Sequence, residues 1–214
     1  MDALDVHVEG ERLRLLAGRA LFWPARSRLM LADLHLGKGD ILRAAGIPVP
    51  SGGTRADLAR LDALLAATGA RELWILGDFL HGRRGARVDA AWRAWRHAHA
   101  DCAVAVIAGN HDRALDAAAA GVDALADATV DGPFVFRHAP AAGGPGRFVV
   151  CGHVHPVVRL PGLPGRHPAF WRRSGVLVLP AFSAFTGGHL LPPRECWVAC
   201  TGGMLVDHRP STCA

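Results

Sequence analysis

Asp33 and His35, Asp78, Asn110, His138, and finally His153 and His155 follow one another along the chain as a series of nitrogen and oxygen donors. Four of their five short motifs follow directly on an apolar stretch: 28–32, 72–76, 103–108 and 148–151. The fifth, His138, closes the alternating run Pro133–Arg137. Asp33 and His35 are two apart in a segment expected to be extended, so both side chains project to one side. His153 and His155 repeat that spacing. Asp78 stands alone after its strand, where its two carboxylate oxygens could bridge two cations. Asn110 offers a neutral carbonyl oxygen, and His138 a further imidazole. A donor set of this mix, without thiolate, suits Mn²⁺, Fe or Zn²⁺. Two such ions roughly 3.5–4 Å apart could hold a bridging hydroxide and clamp an in-line phosphoryl displacement. His111 is placed by its motif to face a substrate and could protonate a leaving oxygen, with Asp112 orienting it.

Elements must carry these donors to one place. Strand signals at 28–32, 72–76 and 103–108 alternate with helical patterns at 54–68 and 86–99, a βαβ rhythm that sets the donors at carboxyl ends of strands. Leu58, Leu61, Leu64 and Leu65 line one face of the first helix, and Gly69 stops it. Short strands at 133–137, 147–151, 157–160, 175–180 and 196–206 suggest an antiparallel continuation. Segments 140–146 and 161–168 read as exposed loops. His97 and His99, two apart on a helix, point to different faces and are expected to be solvated.

Length and composition bound the rest. With 214 residues, 50% of them hydrophobic, one full-sized domain is expected over 1–214. No apolar run reaches the roughly 18 residues of a membrane span. The acidic start Met1–Asp5 lacks the apolar region of a signal peptide, so a cytoplasmic protein is expected. The cysteines at 102, 151, 196, 200 and 213 fit neither a disulfide framework nor paired zinc spacing, and Cys196 and Cys200 read as small core residues. The net charge is +5. Lys38 is the only lysine and tyrosine is absent, so the arginine excess reflects compositional bias as much as an anionic partner.

Asp-x-His, Gly-Asp, Gly-Asn-His-Asp, a lone His and Gly-His-x-His, in this order over residues 28–190, resemble the calcineurin-like metallophosphoesterase superfamily. The resemblance implies a four-layer α/β fold, two mixed β-sheets packed as a sandwich and flanked by helices. It implies that Asp33, His35, Asp78 and His155 hold one divalent metal. It implies that Asp78, Asn110, His138 and His153 hold the other, with Mn²⁺ favoured over Fe or Zn²⁺. His81 matches a histidine that helps place the scissile phosphodiester in a nuclease branch of the superfamily. The longer signatures Leu31–Lys38, Gly109–Arg113 and Leu179–Gly188 resemble the bacterial ligase-associated DNA damage response endonuclease/phosphoesterases. Those are encoded beside an ATP-dependent DNA ligase, an exonuclease and a helicase, which implies DNA as substrate and repair as context.

Arginines supply candidate phosphate contacts. Arg83, Arg84 and Arg87 follow His81, and Arg172 and Arg173 flank Phe170 and Trp171, whose rings could stack on unpaired bases. Equally, 161–173 could be an Arg-rich loop whose aromatics cap the core, and 83–87 a solvated helix start. The expected activity is a metal-dependent phosphodiesterase acting on DNA. Two alternatives stand beside it: a hydrolase of small phosphate esters, and a scaffold that has lost catalysis.

Overall fold

The computed structural model describes residues 2–82 and 85–210. Its first sheet has seven strands in the order β1-β2-β3-β4-β5-β6-β7, namely Ala3–Val8, Glu11–Leu16, Ala20–Trp23, Arg28–Leu31, Glu72–Leu76, Ala103–Ile107 and Asp123–Leu125. The chain from β1 to β4 runs as an antiparallel meander, and β4 to β7 are parallel. The direction changes because helices carry the later crossovers, as parallel strands require. These are α1 (Lys38–Ala44), α2 (Gly53–Thr68), α3 (Ala86–Ala98) and α4 (Ala117–Ala120). Helix α2 buries Leu58, Leu61, Leu64 and Leu65 and ends where the Gly69 amide, in left-handed backbone, donates to the Leu65 carbonyl. Helix α3 buries Val88, Trp92 and Trp95, the spacing of one helical face. Both pack with Leu29, Leu31, Leu73, Ile75 and Val104 on the outer face of the sheet.

The second sheet has nine strands. Its main path is β14-β11-β12-β13-β10-β9-β8, with β15 beside β12 and β16 beside β15. The ranges are β8 Thr129–Asp131, β9 Phe134–Phe136, β10 Phe148–Cys151, β11 Pro156–Val158, β12 His167–Arg173, β13 Val176–Val178, β14 His189–Leu190, β15 Cys196–Thr201 and β16 Met204–His208. The antiparallel continuation expected here is corrected in its centre, where β10 lies parallel to both β9 and β13. Long connections at 137–147 and 152–175 return the chain to the same direction. Every residue of β10 is buried, as befits a parallel strand covered on both faces. Two boundaries also differ from expectation. His167 and Pro168 enter β12, and the segment 196–206 is a hairpin of β15 and β16.

The sheets face each other across a core that includes Leu13, Leu21, Trp23, Met30, Phe134, Phe136, Val150, Phe170 and Leu177. Burying side chains of this size contributes roughly 1.5–3 kcal/mol each. At the amino end of β4 the buried Arg28 guanidinium joins the sheets. It donates to Glu72 at 2.7 Å and Asp131 at 2.8 Å, and lies 3.7 Å from the Trp74 ring centroid. At the other end of the strands, Ala32 bridges Ala181 in parallel register. Among the described residues no helix is long and apolar enough to cross a membrane. Cys102, Cys151 and Cys200 are buried free thiols, whereas Cys196 is half-buried and disulfide-bonded, a departure from the expected pair of core residues.

Candidate metal centre

Every motif leaves the carboxyl end of a strand: β4 for Asp33 and His35, β5 for Asp78, β6 for Asn110 and His111, β9 for His138, β10 for His153 and His155. Because β4, β5 and β6 are parallel to one another, as are β9 and β10, the ends within each sheet lie side by side. Main-chain bonds then lace the departing segments together. The Asp33 amide donates to Gly77, His35 to Asp78, Gly152 to His138 and Ser183 to Asp33.

The expectation of extended backbone at the paired ligands is corrected. Asp33, His35, Asp78, His153 and His155 all have positive φ, between 47° and 70°. Left-handed backbone at a residue with a side chain costs of order 1 kcal/mol or more, and persists where neighbours enforce it. The strand ends therefore curl, and the curl turns the side chains inward.

Two donor groups result. Asp33, His35, Asp78 and His155 form one, and Asp78, His138 and His153 the other, with ligand atoms of each group within 4.8 Å of one another. Asp78 belongs to both. Its Oδ2 lies 3.7 Å from His35 Nε2, and its Oδ1 lies 3.6 Å from His138 Nε2. Asn110 Oδ1 joins the second group at 3.0 Å from His138 Nε2, with His153 Nδ1 also at 3.0 Å. His138 Nδ1 lies 3.3 Å from the Leu76 carbonyl, so the tautomer that donates there leaves Nε2 free as a ligand.

The chemistry of these residues fits cations. The carboxylates of Asp33 and Asp78 are 0% and 2% exposed, and buried charge demands a counter-charge. His35 Nε2 and His155 Nε2 are buried without a hydrogen bond among the described residues, as open ligand positions would be. Burial first, then the Lys38 charge and the surrounding histidines, push the His35 pKa down to about 2, so its imidazole is neutral and able to ligate.

Close approach explains two glycines of the motifs. A Cβ on Gly109 would lie 2.2 Å from Asp78 Oδ1, and one on Gly77 would lie 1.8 Å from His138 Nδ1. Asp112 departs from its expected contact with His111. Its buried carboxylate accepts from the amides of Phe79 at 3.1 Å, Leu80 at 2.7 Å and Gly109 at 2.8 Å. It thus staples the loop after β5 to the loop after β6. Despite three such bonds, its pKa is raised, because desolvation dominates.

His81 and His111 stand at the opening, stacked with centroids 4.6 Å apart. His111 is exposed, its amide donating to Asp78 Oδ1 at 2.9 Å. His81 Nδ1 lies 3.2 Å from His35 Nδ1. Burial, Lys38 and His111 together push the His81 pKa down to about 4. Lys38 was not singled out as a site residue from sequence. It is half-buried at the start of α1 and close enough to Asp33 and Asp78 to feel both charges, while burial lowers its pKa. The signal that marks it is a lone lysine among arginines directly after the first motif.

The candidate arginines divide into three cases. Arg83 and Arg84 lie outside the described residues, and Arg87 is exposed in the first turn of α3. Arg172 and Arg173 pair with Leu177 and Val176, toward the end of the sheet remote from the metal ligands. There they line a cleft with Trp197 and Arg194. Phe170 and Trp171 are 1% and 9% exposed, so they cap the core as the second sequence reading has it. His97 is exposed, but His99 is half-buried against the Trp95 ring, 4.4 Å between centroids.

No family model matches the chain, and no curated protein does. Among solved structures it is similar to that titled "Crystal structure of Pseudomonas putida nuclease MPE", at 38% identity over 93% of this chain and 97% of that one, with a TM-score of 0.83. Likeness of that depth over nearly both lengths, on the fold and donor groups described above, means that this chain belongs to the family of that nuclease.

Proposed function

We infer that the chain is a metal-dependent phosphodiesterase that cleaves DNA in the cytoplasm, with two divalent cations, Mn²⁺ by preference, at the shared Asp78 site. The single observation that carries this is Asp78, whose two carboxylate oxygens face two separate donor groups. The nuclease relative supports a nucleic-acid substrate. A repair context, beside an ATP-dependent ligase, an exonuclease and a helicase, rests on the motif resemblance alone.

In this reading Asp33, His35, Asp78 and His155 hold one cation, and Asp78, Asn110, His138 and His153 the other. When bound, the cations supply Lewis-acid activation of water and neutralise the phosphoryl oxygens. The protein does the rest. Neutral His81 donates to a non-bridging oxygen, while exposed His111, stacked beside it, donates a proton to the leaving oxygen. Asp112 positions both loops and touches neither reacting atom.

The test is metal analysis paired with cleavage. Protein reconstituted with Mn²⁺ should carry two ions and cut single-stranded DNA, lose turnover to a chelator and regain it with Mn²⁺. Full activity with one ion would refute the sharing of Asp78. Turnover confined to small phosphate esters would replace the nuclease reading with the small-ester one, and metal binding without any turnover would favour the scaffold.

A further inference from the structure

Beside the first donor group lies a cavity of about 210 Å³ whose walls include His155 itself. Its charged lining is Arg19 and Arg166, with no carboxylate among the lining residues. Thr186, Gly187 and Gly188 complete one side with a hydroxyl and two side-chain-free peptides. Gly188 is pressed against the ligand strand, since a Cβ there would lie 2.8 Å from the His155 carbonyl.

Arg19 is held firmly in this wall. It sits at φ 67° in the turn between β2 and β3, and its Nη1 donates to the carbonyls of Phe182 and Ser183 at 3.4 and 3.3 Å. The same two residues donate their amides to Ala32 and Asp33 at 2.9 and 3.2 Å. Arg19 is therefore registered to the first metal ligand through one peptide. Among the described residues no carboxylate lies within ion-pair distance of it, and Asp57 is the one that acts on its charge. Asp57 is hydrogen-bonded to Arg60 and Ser183, and the Arg60 charge opposes that of Arg19. Half-buried Arg19 and exposed Arg166 bring two guanidinium-bearing side chains to this hollow, and a guanidinium is a planar, multidentate partner for phosphate oxygens.

We propose that this cavity seats a second backbone phosphate of a polynucleotide, adjacent to the scissile one, gripped by Arg19 and Arg166. The proposal rests on the phosphodiesterase reading and deepens it, because a small diester has no second phosphate to place there. The cavity would make the enzyme select chains over small esters, and would fix the direction in which a strand leaves the metals.

The test uses the metal-loaded full chain with bis(4-nitrophenyl) phosphate and a single-stranded thymidylate oligomer, over a salt series. Arg166→Ala should lower the ratio of kcat/KM for the oligomer to that for the small diester by about tenfold. It should also flatten the log–log salt slope of the oligomer by about 0.7, the share of one phosphate contact. Because Arg19 also holds two carbonyls, its gentler variant is Arg19→Lys, which keeps the charge, loses the fork and should lower the same ratio. An unchanged ratio and slope in both variants overturns the proposal while leaving the phosphodiesterase reading intact. If the unaltered protein turned over neither substrate, that reading would fail instead, and the affinity of a fluorescent oligomer would then decide the cavity. Binding about tenfold weaker in Arg166→Ala would support the proposal, and equal binding would overturn it.

Discussion

His111 reaches the site from outside both donor groups. Its ring is exposed, stacked on His81 and edge-on to the His35 ring with centroids 5.2 Å apart, and its backbone amide donates to Asp78 Oδ1. Because His111 belongs to neither donor group, its imidazole can be removed with every donor left in place. His111→Ala should keep both ions by metal analysis, yet lose about 10²–10⁴-fold in kcat, as expected for a positioned acid. Should the purified variant lack metal, the side chain belongs to the ligands and the assignment fails. His81 differs in kind. Its pKa near 4 keeps it neutral across the working range, so it can donate a hydrogen bond without adding charge. At this scale Cys200 shows the opposite use of burial, which pushes its thiol up to about 12 and leaves it chemically silent.

The strand ends and the loops leaving them decide whether the donors meet. Gly109 shows how little room the loops have, with the place of its missing Cβ 2.2 Å from Asp78 Oδ1 and 2.3 Å from the Asp78 amide nitrogen. One added methyl must move a shared ligand. Gly109→Ala should therefore fold, as judged by circular dichroism, but release both ions to dialysis that leaves the parent protein loaded. Retention of both ions would mean that Asp78 is not shared. The residues that the structure gathers into the two donor groups were legible from sequence because donor chemistry restricts candidates to a few residue types. So were α2, α3 and the buried strands before each motif, whose apolar runs are continuous. The left-handed backbone at Asp33, His35, Asp78, His153 and His155 was not, since it is imposed by bonds to segments far along the chain. Asp112 illustrates the same limit: its partners Phe79 and Leu80 lie more than thirty residues away. The remoteness of Arg172 and Arg173 depends on the pairing of β12 with β13, and no local pattern encodes that register.

On the scale of the whole molecule, the two sheets are joined at opposite ends by different means. At one end the ligands and the Ala32–Ala181 bridge close the gap, and at the other Arg28 spans it. Arg28→Met removes both ion pairs while keeping the apolar stem against Trp74. It should lower stability by about 2 kcal/mol in urea titration, less than a fully buried pair would lose, because Glu72 and Asp131 are partly exposed. Activity per folded molecule should stay at the parent level, since the substitution lies a strand length from the donor groups. A loss of activity without a loss of stability would show that the sheet ends are mechanically coupled. One further property follows from where the only lysine sits. Amine-directed reagents have, besides the chain's α-amine, a single side-chain target, and it lies beside Asp33 and Asp78. Coupling this protein to beads, surfaces or fluorophores through amines other than the α-amine would thus attach it at the side chain that borders the donor groups. Immobilised preparations would keep that side chain clear only if the linkage were made through the α-amine or some other side chain.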